Sequence, residues 1–255
     1  MSKKIFAISN QKGGVGKTTT AVNLAAALAL TKKKVLLVDL DPQGNATMGS
    51  GIAKHDLQFS ALDLLLNECK PEQAIFTGLP VGYDVIASNA DLISAEVALL
   101  KVSRKEYVLS YCLKRIVDQY DYVLLDCPPS LSMLTINGLS ASDGIIIPMQ
   151  CEYYALEGLS DLLTTINTIR AKVNHDISIE GVLRTMYDPR NGLTQDVSDQ
   201  LINHFGEKVY RTCIPRNVRL AEAPSHGKPV VFYDKQSRGS LAYLALAGEV
   251  IRRNT

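Results

Sequence analysis

Apolar runs of strand length alternate with longer stretches of helical periodicity from one end of the chain to the other. The short runs predict strands over 5–9, 35–39, 83–87, 122–126, 144–148 and 179–185. Several are apolar at consecutive positions, so both faces need cover, as in parallel strands held between two helix layers. The longer stretches predict helices over 18–30, 61–67, 108–119, 156–172, 194–205 and 241–252. Strand–helix alternation with right-handed crossovers gives an α/β fold, a doubly wound, mostly parallel sheet flanked by helices. Ligand sites are then expected at the carboxyl ends of the strands. No Pro/Gly/Ser-rich linker or repeat interrupts the pattern, so residues 1–255 read as one domain.

The first predicted strand runs into Asn10-Gln11-Lys12-Gly13-Gly14-Val15-Gly16-Lys17-Thr18-Thr19-Thr20, and a helix follows. Three glycines let the backbone curl so that successive N–H groups converge on an anion. The next helix aims its positive end at the same place. Lys17 supplies a point charge for β- and γ-phosphates, and the Thr18 hydroxyl completes a Mg²⁺ shell. A Gly-rich turn that merely precedes a helix would not need the Lys-Thr pair. The second predicted strand ends in Asp39-Leu40-Asp41-Pro42-Gln43-Gly44-Asn45, where carboxylates at i and i+2 can face one edge of the sheet. Such acids hold metal-bound waters or orient an attacking one, although Asp and Pro are also ordinary turn formers. Tyr122-Val123-Leu124-Leu125-Asp126-Cys127-Pro128-Pro129 is an apolar strand ending in an acid, the Walker B arrangement, with Asp126 a Mg²⁺ holder through water; the competing reading is a turn cap. Cys127 reads as packing.

The phosphate loop departs from the common P-loop in having Gln11 where glycine is usual and an extra lysine, Lys12. It resembles the deviant Walker A loop, K-G-G-x-G-K-[ST], of the ParA/MinD group of ATPases. That resemblance implies ATP and Mg²⁺ as cofactors, contacts from Lys12 to Thr19 (Val15 included), and a homodimer formed with ATP in which Lys12 reaches the partner's nucleotide. It gives Asp41 the role of positioning the hydrolytic water, with Asp39 in support and Asp41 also near the metal through water. With the phosphate loop starting by residue 12, no N-terminal DNA-binding domain is expected.

Further along, Ile147-Pro148-Met149-Gln150-Cys151-Glu152-Tyr153-Tyr154-Ala155-Leu156-Glu157-Gly158 and the stretch Ile214-Pro215-Arg216-Asn217-Val218-Arg219-Leu220-Ala221-Glu222-Ala223-Pro224-Ser225-His226-Gly227-Lys228-Pro229 are similar to the chromosomal, Soj-type ParA branch and much less like MinD. The resemblance places Pro215 and Asn217 beside adenine and Arg190 and Arg219 on non-specific double-stranded DNA. It also implies a centromere-binding partner of the ParB type that stimulates hydrolysis, and a cytoplasmic, nucleoid-associated protein.

Charge sharpens the DNA reading. The formal net charge is only +1, so polyanion binding needs a local patch. Residues 208–238 carry seven Lys/Arg against two acids, Arg216 and Lys228 among the former, which adds these two as DNA candidates. A solvated face is the ordinary meaning of such a cluster. Five scattered cysteines without a C-x-x-C and four histidines without ligand spacing read as free thiols and structural imidazoles. That spacing argues against a metal-cluster carrier ATPase of the same fold. No stretch approaches the roughly 20 apolar residues of a membrane span. A MinD-like membrane switch would want a basic amphipathic closing helix, whereas 241–253 reads as a buried one.

Overall fold

The computed structural model describes residues 3–153 and 155–255, with the side chains of residues 155–158 outside the description. Tyr154 and the side chains of 155–158 in the Soj-like stretch therefore lie outside the described residues. Among the described residues one sheet is formed by β1 (Lys4–Ile8), β2 (Val35–Asp39), β3 (Ile75–Phe76), β4 (Asp84–Ile86), β5 (Tyr122–Asp126), β6 (Gly144–Gln150) and β7 (Ser178–Thr185). Their spatial order is β3-β4-β2-β5-β1-β6-β7. All neighbours run parallel except β3, an antiparallel edge on β4. The helices are α1 (Lys17–Leu30), α2 (Asn45–Gly49), α3 (Ala61–Leu65), α4 (Ile93–Leu99), α5 (Val108–Leu113), α6 (Met133–Ser140), α7 (Ala155–Lys172), α8 (Gly192–Phe205), α9 (Val218–Glu222), α10 (Val230–Tyr233) and α11 (Arg238–Arg253).

Alternation along each strand divides the interior into two cores. Ala7, Leu36, Val38, Val123, Leu125, Ile145 and Ile147 face the layer that includes Leu64, Leu109, Leu134, Leu162 and Leu201 of α3, α5, α6, α7 and α8. Phe6, Ile8, Leu37, Leu124 and Ile146 face α1, α10 and α11. Helix α1 carries Ala21, Ala25, Ala26 and Ala27 around Leu24 and Leu28, all fully buried. Small side chains let it lie close on the sheet, and a helix so apolar around its girth belongs in an interior. Helix α11 buries Tyr243, Leu246, Ala247 and Val250, as expected of a closing helix. No described helix is long and apolar enough to cross a membrane.

The pattern-based reading left out the short elements β3, α2, α4, α9 and α10, and two longer stretches depart from it in instructive ways. The stretch 108–119 is not one helix: α5 stops at Leu113, and the chain tightens into i→i+3 bonds such as Ile116 N–H to Leu113 O. Residues three apart eclipse in that geometry, so Leu113 and Ile116 both reach the core. Helix α6 was not anticipated, because Thr135, Asn137, Gly138 and Ser140 are poor helix formers. Tertiary contacts dictate it: buried Asn137 donates to Lys105 O and Met133 O and accepts from Leu109 N–H. A Cβ on Gly138 would stand 2.8 Å from Cys127 Sγ, so the helix docks only without a side chain there.

Candidate nucleotide site

The carboxyl ends of β1, β2, β5 and β7 meet at a cleft of about 470 Å³. The loop between β1 and α1 forms one wall. Gly14 (φ 74°) and Gly16 (φ 89°) hold left-handed backbone, and no atom lies within 4 Å of where a Cβ on Gly13 or Gly14 would be, so the loop's concave side is open to a ligand. Side chains anchor the loop from behind. Asn10 donates to Pro148 O at 2.8 Å and accepts from Lys12 N–H at 3.0 Å, and the Thr185 hydroxyl donates to Val15 O at 2.8 Å. Lys17 opens α1, is buried, and returns its ammonium to Lys12 O at 3.0 Å. Burial pulls its pKa down, while the carboxylates of Asp126 and Asp41 oppose that shift. Thr18 and Thr19 line the cleft beside it.

The acids separate by role. Asp41 is half-buried and lines the cleft, with one carboxylate oxygen accepting Gln43 N–H at 2.9 Å. Asp39 is fully buried and accepts from Asp41 N–H and from the Thr47 hydroxyl and amide. Asp126 pairs in register with Asp39 across β5 and β2. Burial raises the Asp39 carboxyl to about 6 despite its hydrogen bonds. Burial and then the Asp39 charge raise that of Asp126 well above the carboxylate range. Both Asp126 oxygens lack a well-formed hydrogen bond, although the Thr18 hydroxyl stands near enough to favour the ionised form. A buried carboxylate without partners, beside a threonine hydroxyl, suits a hard cation. No described trio of His, Cys, Asp or Glu could cage a metal alone, so Mg²⁺ here would complete its shell with water and phosphate oxygens.

Pro215, Arg216 and Asn217 also line the cleft, together with Ile214, Leu220 and Tyr243. Arg216, counted from charge as a DNA candidate, thus stands in the nucleotide cleft. Lys12 is not among the lining residues; its ammonium pairs with Glu152 at 3.0 Å, both side chains partly exposed. The other basic candidates lie outside the cleft, and the two arginines are engaged. Arg190 grips Asp188 with two bonds of 3.0 and 2.8 Å, holding that carboxyl down to about 2. Arg219 pairs with Glu222 at 2.8 Å and Asp234 at 3.3 Å. Exposed Lys228 borders a recess of about 310 Å³ shared with Thr18, Asn45 and Met48. There the loop after α2 meets the turn before Lys228: a Cβ on Gly51 would stand 2.9 Å from Gly227 O, and one on Gly227 3.0 Å from Gly51 Cα.

Sequence reasoning missed Thr185, Met186, Leu220 and Tyr243. Thr185 ends a predicted strand, so the carboxyl-end rule could have found it. Met186 (φ 48°) and Tyr243, whose hydroxyl lies 3.2 Å from that of Thr20, carry no local signal.

A family model described as an AAA domain matches residues 3–179. The chromosome partitioning protein ParA of Caulobacter vibrioides is 49% identical over 253 residues, with 98% of this chain and 94% of that protein covered. Soj of Bacillus subtilis is 52% identical over 247 residues, covering 97% and 98%. The chain belongs to the ParA/Soj family. Membership makes it a P-loop ATPase among chromosome-partitioning proteins. The ParA/Soj architecture extends to a solved Mycobacterium smegmatis structure, described as cobyrinic acid a,c-diamide synthase with bound ATP analog and magnesium. That structure superposes with a TM-score of 0.87 at 35% identity, over 98% of this chain and 95% of its own.

Proposed function

We propose that this ParA/Soj protein is a DNA-partition ATPase whose ATP-bound form is a sandwich dimer on non-specific duplex DNA. The observation that carries the reading is Lys12, a cation next to the phosphate loop that does not line its own cleft and is half-exposed beside Glu152. A surplus lysine so placed is suited to a partner's nucleotide. In each subunit Gly13 to Thr19 cradle the phosphates, Lys17 neutralises charge at the β/γ end, and Pro215 and Asn217 flank the base. Mg²⁺, held by Thr18 and through water by Asp126 and Asp41, would supply charge neutralisation between the phosphates. Asp41, the carboxylate that lines the cleft, orients the attacking water. Arg190, Arg219, Lys228 and the rim residue Arg216 supply phosphate contacts when two basic surfaces stand side by side. A ParB-type partner that stimulates hydrolysis would then release the protein from the nucleoid, inside the cytoplasm. The whole of 1–255 acts as one ATPase domain in this reading.

Duplex binding measured with ATP, ADP and no nucleotide at two salt concentrations tests it. Binding should require ATP, ignore sequence, and fall on the order of 10³-fold between about 50 and 200 mM salt if several phosphates are contacted. Absence of binding with ATP, together with ATP-dependent flotation on vesicles, would replace it by the membrane-switch reading.

A further inference from the structure

We propose that Thr47 and Ser88 are positioning residues for hydrolysis, acting through a closed ring of hydrogen bonds that fixes Asp41. The inference rests on the reading of Asp41 as the residue that orients water. The Asp41 amide donates to Asp39 Oδ1 at 3.1 Å, and the Asp41 carbonyl accepts the Ser88 hydroxyl at 2.8 Å. The Ser88 amide donates to Thr47 Oγ1 at 2.8 Å, and the Thr47 hydroxyl donates to Asp39 Oδ2 at 2.7 Å, closing the ring. The Thr47 amide adds a second bond to that oxygen at 2.8 Å. The members come from the end of β2, from α2 and from the residue that follows Ala87 beyond β4.

Asp39, Thr47 and Ser88 are fully buried, whereas Asp41 reaches the cleft. The ring therefore seizes Asp41 by both backbone groups and leaves its side chain forward. One carboxylate oxygen is occupied by Gln43 N–H, and the other has no protein partner among the described residues. Backbone contact reinforces the clamp: a Cβ on Gly44 would lie 2.6 Å from Ser88 O, so the turn rests directly on that carbonyl. The Thr47 hydroxyl both donates and accepts, which fixes its direction, and a buried ring of this kind strengthens in a low dielectric. Misplacing a reacting group by about 1 Å costs on the order of 10²-fold in rate. The Ser88 hydroxyl makes its bond to Asp41 and Ser88 lies beyond the end of β4, so removing the hydroxyl should disturb the turn and spare the sheet.

The test compares steady-state and single-turnover ATP hydrolysis of Ser88→Ala, Thr47→Val and Thr47→Ser, each alone and in an Asp41→Ala background. Ser88→Ala should lose about tenfold in kcat with KM and ATP affinity within about twofold, the pattern of a transition-state effect. Thr47→Val should lose more, and Thr47→Ser, which keeps the hydroxyl, should recover most of it. In the Asp41→Ala background neither change should slow hydrolysis further, because the ring then has nothing to position. Wild-type kcat in Ser88→Ala, or an equal fold loss with and without Asp41, would overturn the ring while leaving Asp41 in its role. Normal turnover by Asp41→Ala would overturn both.

Discussion

Replacing Asp126 by Asn should make the nucleotide-free protein more stable while weakening its response to Mg²⁺-ATP. The carboxylate is fully buried, neither oxygen has a well-formed hydrogen bond, and Asp39 faces it in register. Lys17, the nearest compensating cation, is itself disfavoured by burial. An ion desolvated under these conditions costs several kcal/mol, of which partial protonation recovers some. Asn keeps the shape and removes the charge, but leaves amide donors to satisfy at about 1–2 kcal/mol. A net gain of roughly 1–3 kcal/mol remains, which for a chain of this size raises Tm by about 2–6 °C. Calorimetric melts in chelator without nucleotide measure it. The folded state binds the Asp126 proton more tightly than the unfolded chain does. Wild-type stability should therefore fall as pH rises above the ordinary carboxylate range, and the variant should show a shallower fall, with the remainder from Asp39 near 6. With Mg²⁺-ATP at 100 times its Kd the wild type should gain about 2.7 kcal/mol and the variant far less, which offsets most or all of the variant's nucleotide-free advantage. An Asp126→Asn protein that melts at or below wild type without nucleotide would refute the claim that this carboxylate is an uncompensated charge.

Lys17→Ala should lower ATP affinity by at least about 10²-fold in titration calorimetry, since a charge-assisted contact at the phosphates is removed. Lys12→Ala should keep ATP affinity within about threefold yet remain monomeric by light scattering with ATP; normal dimers would remove its role in trans. Arg219→Ala or Arg190→Ala should leave ATP binding intact and make the log–log salt slope of DNA binding shallower by up to about two units, two contacts being lost per two-fold dimer. Gly181→Ala should cost about 1–3 kcal/mol in denaturant unfolding without altering ATP affinity, because its Cβ would stand 2.3 Å from the Tyr210 ring.

Features encoded by local chemistry were legible in the sequence. The two-faced apolar runs gave six of the strands, because burial on both sides leaves no alternation to obscure them. The phosphate loop, Asp41 and Asp126 announce themselves because a strand end, a glycine curl and a carboxylate are needed in that order. Edge strand β3, two residues long, exists through its pairing with β4 and has no period to read. Ser88 and Tyr243 join the site from distant segments, where a serine and an aromatic in a buried helix have ordinary meanings. Charge counting found the basic stretch but could not show that Arg219 and Arg190 already have carboxylate partners, or that Arg216 belongs to the cleft wall.

The backbone contact between Gly51 and Gly227 gives the molecule a reciprocity that can be exploited. One side of that seam continues, through α2, from the turn bearing Asp41, and the other leads into Lys228. Flexible side chains absorb displacement, whereas two backbones at this distance pass it on. A ligand that moved either side would be felt at the other by the same factor in its binding constant, since linkage has no direction. If the proposed DNA contacts hold, a fluorescent nucleotide in the cleft should therefore double as a gauge of bound DNA, and labelled DNA as a gauge of the nucleotide.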